Sequence, residues 1–142
     1  MPRIARNLTA AAATACLSLL FGCGPGAEPP PTFHPSTPAE AAAFTYFNTA
    51  VKPVLRGNCY RCHWGMNHKG NFSMGTRAAL LKGGNDGVDV IPGDPDHSRL
   101  MIAVRHAGDG THPKPMPPKD KLGDDEIQVL SKWIADGAIM DR

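Results

Sequence analysis

The sequence predicts an all-α domain of short helices joined by long loops, and three observations point there. Apolar residues recur at helical spacing in an early segment, Phe44, Phe47, Val51 and Val54, and in a late one, Ile127, Leu130, Trp133 and Ile134. Caps, prolines and glycines mark where helices start and stop, whereas Phe72 and Met74 alternate with polar neighbours over too short a run to make a strand. Between the two helical segments, Cys59-Tyr60-Arg61-Cys62-His63 sets two thiols and an imidazole at spacings of three and four, which share one face of a helical turn.

Residues 1–22 read as a secretory leader: Arg3 and Arg6 give a basic start, an apolar stretch follows over about residues 8–21, and small residues precede a cysteine. That stretch is shorter than the roughly 20 residues that span a bilayer, which argues against a permanent transmembrane helix. Leu20-Phe21-Gly22-Cys23 resembles the bacterial lipoprotein signal, in which cleavage precedes the cysteine and the cysteine is lipidated, although Phe21 is bulkier than that pattern usually carries. Cys23 then becomes the first residue and a membrane anchor, because several acyl chains at about 0.8 kcal/mol per buried methylene hold firmly where one holds marginally. An ordinary cleaved leader with a leftover thiol at Cys23 is the alternative. The expected location is the periplasmic face of the cell envelope.

Residues 23–38 form a linker. Six prolines between residues 24 and 38, with no apolar period, make it an extended spacer on the order of 45 Å long at about 3.1 Å per residue. Phe33 and His34 sit inside it and receive no function. The domain proper is residues 39–142. Thr37-Pro38-Ala39-Glu40 is a capping box with proline at the first helical position, so a helix starts there. Pro53 should bend or interrupt that helix shortly before the cysteines. Residues 64–71 read as a glycine-containing loop, after which Thr76 caps a short helix over 77–82 that Gly83-Gly84 stop. Val90-Ile91-Pro92-Gly93-Asp94-Pro95 is turn-rich and leads into a helix over about residues 96–106, with Leu100, Met101 and Val104 facing inward. The last helix runs from 124 or 125 to 136, acidic in its first turn and followed by Gly137. Trp133 should pack in the core, against the first helix or the edge of a prosthetic group.

The chemistry sits in Cys59, Cys62 and His63. C-x-x-C-H is the pattern by which two thiols bond covalently to the vinyl groups of a haem while the adjacent imidazole takes the iron. A thioredoxin-like redox pair, a zinc site and a plain disulfide are the competing uses of the same cysteines. The redox pair expects a strand-helix-strand context that the neighbouring residues lack, and zinc would need a fourth ligand that no second C-x-x-C pair supplies. Composition agrees with one haem c: aromatic residues are 6% of the chain, thin for a core of this size, and a porphyrin brings a large apolar plate to pack around. Cys16 and Cys23 belong to the leader and its cleavage site, so no structural disulfide is expected.

A second landmark is Lys114-Pro115-Met116-Pro117-Pro118, whose prolines stiffen the loop and push Met116 toward extended geometry. Such a loop can hold a thioether in one place at little entropic cost, and Met116 is the candidate sixth ligand of the iron. Methionine is otherwise usually a core filler, but this one lies in a polar loop without helical period. His106 and His112 are rival ligands, while His68 and His97 stay unassigned.

With these residues in hand the domain resembles a small class I cytochrome c, and more closely the planctomycete-type cytochrome c domain. The resemblance covers about residues 44–140. It runs through Val51-Lys52-Pro53-Val54-Leu55, Thr76 to Gly84, the turn from Val90 to Pro95 with Ser98, Met116-Pro117-Pro118, and Trp133-Ile134 with Gly137-Ala138. It implies a fold of short helices and long loops wrapped around one covalent haem. Cys59, Cys62, His63 and Met116 carry over as its functional positions. Gly123 departs from the family, standing where a capping serine is usual, and Trp64 replaces the glycine that usually follows the haem histidine.

Haem ligated on both faces by His63 and Met116 leaves no open position for a substrate, so the expected act is one-electron transfer and not enzyme catalysis. The rival functions are a haem-based sensor or minor peroxidase with a labile sixth ligand, and a bis-histidine cytochrome. The formal charge of +2 includes the two leader arginines, without which the 15 basic residues become 13, against 13 acidic ones, and nothing favours nucleic acid. Lys52, Arg56, Arg61, Lys69, Arg77 and Lys82 nevertheless lie between Glu40 and Asp86 with no acid among them. They form an expected basic rim that steers an acidic redox partner, the alternative being that they pair with haem propionates or with later acidic residues.

Overall fold

The computed structural model describes residues 34–141. The leader and Cys23 lie outside the described residues. The capping box starts the first helix as expected. In α1 (Pro38–Tyr46) the Thr37 hydroxyl accepts the Glu40 N–H at 3.1 Å and the Glu40 carboxylate accepts the Thr37 N–H at 3.2 Å. Glu40 also takes the Ser36 N–H at 2.8 Å and bonds the Ser36 hydroxyl, the main reason its carboxyl is held below the usual range.

Proline at position 53 brings no N–H, so the carbonyl four residues back, on Thr49, gains no helical partner and is crowded by the ring. The chain answers upstream. Residues Phe47–Val51 form a turn of π-helix, with the Lys52 N–H reaching five residues back to the Phe47 carbonyl. Helix α2 (Lys52–Asn58) then runs on with Pro53 in its first turn, where the missing donor matters least. The interruption expected at Pro53 is thus a widened turn before it. One extra residue in a turn sets everything after it back by about one position. The buried row is consequently Phe47, Val51 and Leu55, each at 0% exposure, while Val54 and Phe44, expected on the same face, are half-buried.

The next elements are α3 (Tyr60–His63), a 3₁₀ turn (Lys69–Asn71) and α4 (Arg77–Lys82), whose Thr76 hydroxyl accepts the Ala79 N–H at 3.1 Å. Helix α4 stops at Gly83, with φ +78°, where a Cβ would fall on the Gly87 carbonyl. Helix α5 (Arg99–Val104) is shorter than expected but buries Leu100, Met101 and Val104. Its start is set by Ser98, fully buried, whose Oγ accepts the Ile91 N–H at 2.9 Å and donates to the Asp94 carbonyl at 2.8 Å. That hydroxyl ties residues 95–98 into the preceding turn and out of the helix.

Helix α6 (Asp124–Ala135) buries Ile127, Leu130, Trp133 and Ile134 on one side. Gly123 supports half a capping box, its N–H donating to Glu126 Oε2 at 3.2 Å, since glycine has no side chain to return the bond. Trp133 packs 6.0 Å from Phe47, centroid to centroid, and its Nε1–H donates to the Ile139 carbonyl at 2.8 Å. Here the early and late helical segments meet. Among the described residues there is no strand, and no helix is long and apolar enough to cross a membrane.

Candidate haem-attachment site

Helix α2 ends at Asn58, and Cys59 is both its C-cap and the N-cap of α3. The Cys59 N–H donates to the Leu55 carbonyl at 2.8 Å, and the Cys59 carbonyl accepts from both Cys62 and His63 N–H at 3.0 Å. Cys59, Cys62 and His63 thereby share a single turn, as their spacing requires. No disulfide joins the two cysteines. Both are half-buried, and burial pushes the Cys59 thiol up to about 12, with the Glu126 carboxylate and Cys62 adding to the rise. That sulfur keeps its proton at neutral pH, whereas an attacking thiol or a zinc ligand must lose it. A thioether has neither proton nor charge to desolvate, so the half-buried sulfur suits covalent attachment.

The imidazole is aimed by residues after the motif. Its Nδ1–H donates to the Phe72 carbonyl at 3.2 Å, which fixes the tautomer and leaves the Nε2 lone pair for a metal. Donation of the second ring nitrogen to a backbone carbonyl is the usual support for a metal-ligating histidine. The Phe72 ring meets His63 edge-on at 5.3 Å, and the Met74 N–H donates to the His63 carbonyl at 2.7 Å. Phe72 and Met74 are both buried, so the segment that holds the histidine is itself nailed into the core. The donor set of two half-buried thiols and one oriented imidazole fits a c-type haem.

Residues 59–120 match the family model described as planctomycete cytochrome C. Within that span the chain carries a planctomycete cytochrome C domain. The matched span starts at Cys59 and is narrower than the resemblance over 44–140, and the C-x-x-C motif within it implies a covalent haem c and an electron-carrier role. Cytochromes of this type work outside the cytoplasm. No curated protein and no solved structure matches the chain.

The remaining sequence candidates of this cytochrome domain fall in several places. Met116 is half-buried on a separate loop, its N–H donating to the Ala103 carbonyl at the end of α5 at 3.0 Å. His106 directs Nε2–H to the Pro117 carbonyl at 3.2 Å, and exposed His112 lies 3.7 Å from Asp86. His68 is exposed, and His97 is engaged by Asp94 at 2.7 Å. Trp64, in place of the usual glycine, stacks on Tyr60 with centroids 4.3 Å apart.

Two members of the expected basic rim are spent inside the fold: Lys52 pairs with Asp141, and Arg77 donates to the Ala138 and Gly137 carbonyls at 3.1 and 2.9 Å. Arg56, Arg61, Lys69 and Lys82 stay exposed. Four of the six cations are thus left for the expected rim. Asn58 also binds Glu126 at 3.0 Å, which brings the acidic first turn of α6 against the cysteine turn. Sequence reasoning passed over the Phe72 carbonyl. Its one signal was a pair of apolar residues, Phe72 and Met74, soon after the motif.

Proposed function

We propose that the protein is a single-haem c-type cytochrome that transfers one electron at a time in the cell envelope, with His63 and Met116 on the two faces of the iron. The observation that carries this reading is the Nδ1–H of His63 held by the Phe72 carbonyl, which leaves Nε2 for a metal on the same turn that carries Cys59 and Cys62. Cys59 and Cys62 would each add sulfur and hydrogen across one vinyl group, so nothing leaves and the attachment is permanent. Bound there, the haem supplies the one-electron couple, whose potential methionine opposite histidine raises. The His106 Nε2–H donates to the Pro117 carbonyl, so iron ligation through that nitrogen would break this bond.

Absorption spectra of the matured protein in both oxidation states test haem type and ligation together. Met116→Ala should erase the sulfur-to-iron band of the oxidised form. A spectrum unchanged by that substitution removes methionine from the iron and restores the bis-histidine alternative. Carbon monoxide or cyanide binding without prior ligand loss favours the sensor or peroxidase reading.

The same proposal places the protein on the periplasmic face, anchored through lipidated Cys23, with Arg56, Arg61, Lys69 and Lys82 steering an acidic redox protein. Mass spectrometry of the mature N-terminus decides the anchor, and an unmodified Cys23 thiol removes it. The electron-transfer rate with an acidic partner should fall as salt rises, and a salt-independent rate removes the steering.

A further inference from the structure

We infer that His106 is the residue that positions Met116, an inference that rests on Met116 as an axial ligand. Helices α5 and α6 end in the same pair of backbone bonds. In α6 the Gly137 N–H donates to Ile134 and the Ala138 N–H to Trp133; in α5 the His106 N–H donates to Ala103 and the Ala107 N–H to Ile102. This C-terminal motif puts one residue in the left-handed region, where glycine is favoured because a Cβ is crowded there. Helix α6 uses Gly137, with φ +96°, and α4 stops at Gly83, with φ +78°. Helix α5 uses a histidine, at φ +53°.

A side chain kept where glycine would be easier points to a task for that side chain. The task is on the far side of the loop. The His106 Nε2–H donates to the Pro117 carbonyl at 3.2 Å, just after Met116, while the Met116 N–H donates to Ala103 at 3.0 Å. The Ala103 carbonyl also takes the His106 N–H at 3.1 Å. Met116 is therefore pinned on both sides to the last turn of a helix whose Leu100, Met101 and Val104 are buried. One pin is backbone and the other is the imidazole. Glycine at position 106 would preserve the first and abolish the second.

That separation makes the test sharp. The haem-loaded wild type is compared with His106→Gly, His106→Asn and His106→Gln, with Met116→Ala as reference. Three quantities are read: the sulfur-to-iron band, the cyanide affinity of the oxidised form, and the melting temperature. His106→Gly should melt at or above the wild-type temperature, because glycine suits the backbone. It should nevertheless weaken the band and bind cyanide about 5- to 10-fold more tightly, the factor expected from losing one neutral hydrogen bond. His106→Asn tolerates the same φ but is too short to reach Pro117, and should repeat the loss. His106→Gln, whose amide nitrogen reaches about as far as Nε2, should restore both readouts.

Wild-type band and cyanide affinity in His106→Gly and His106→Asn overturn the positioning role while leaving the methionine reading intact, provided Met116→Ala erases the band. Failure of His106→Gln to restore what glycine removes also overturns it, since space rather than a bond would then be responsible. A band that survives Met116→Ala overturns the ligand assignment and the positioning role together.

Discussion

Leu55→Ala and Val54→Ala, made side by side, test the turn that leads into the cysteines. An unbroken α-helix from Phe47 would put residue 54 nearer the buried row, whereas the π-turn over Phe47–Val51 gives that place to Leu55. Leu55 is fully buried, so truncation to alanine removes about three methylene equivalents at ~0.8 kcal/mol each, and the residual cavity brings the loss to about 3 kcal/mol. For a domain near 100 residues that corresponds to a fall in Tm of roughly 12–20 °C. Val54 is half-buried, and alanine suits a helix better than a β-branched side chain, so Val54→Ala should lose no more than about 1 kcal/mol. Denaturant unfolding of the matured protein, followed by circular dichroism, measures both. If Val54→Ala proves as destabilising as Leu55→Ala, the helix does not change phase before Pro53 and the explanation of the buried row fails.

Three further outcomes follow from single interactions. Ser98→Ala leaves the Ile91 N–H without its acceptor in a buried turn and should cost about 1–3 kcal/mol in the same unfolding assay; a loss under about 0.5 kcal/mol contradicts the role given to that hydroxyl. Trp133→Phe keeps an aromatic ring against Phe47 but loses the Nε1–H bond to Ile139, and should cost about 1–2 kcal/mol with the same secondary structure by circular dichroism. Asp89 is held above its ordinary value of 3.8 chiefly by burial, with Arg99 and the Gly84 N–H pulling the other way, Asp86 adding to the rise and His63 opposing it. A raised carboxyl contributes most below its unfolded value and loses that contribution as pH rises through its folded value. Asp89→Asn should therefore be more stable than wild type at pH 7, with the advantage shrinking to nothing below about pH 4. Melting temperatures across that range check the sign, and a variant destabilised equally at every pH refutes it.

What could be read from the sequence was whatever a single turn of chain decides. Thr37 with Glu40, Thr76 with its helix and Gly83 as a stop act on partners within four residues, as read, and the backbone turn that carries the two cysteines and the histidine closes on the Cys59 carbonyl. What could not be read depends on groups brought together from afar. Of the six cations expected on a basic rim, Lys52 pairs with Asp141 and Arg77 with the carbonyls at 137 and 138, because the C-terminal segment folds back on α2 and α4. The helix after Pro95 lost its first residues to a Ser98 hydroxyl turned back toward Ile91 and Asp94.

Pro53 lies between these cases. Its missing N–H is a local fact, but the chain relieved the strain by widening the turn before it, and the buried row shifted from Val54 to Leu55 as a result. The site shows the same division. The cysteine–histidine motif is written in five consecutive residues, whereas aiming the imidazole needed a carbonyl nine residues away and holding the Met116 loop uses an imidazole eleven residues from Pro117. One mark of the second was nevertheless present in the sequence: Gly83 follows α4 and Gly137 closes α6, while α5 ends on His106 with no glycine in its last turn. Where a chain declines the residue that a backbone position favours, the side chain it uses instead is the place to look for a function.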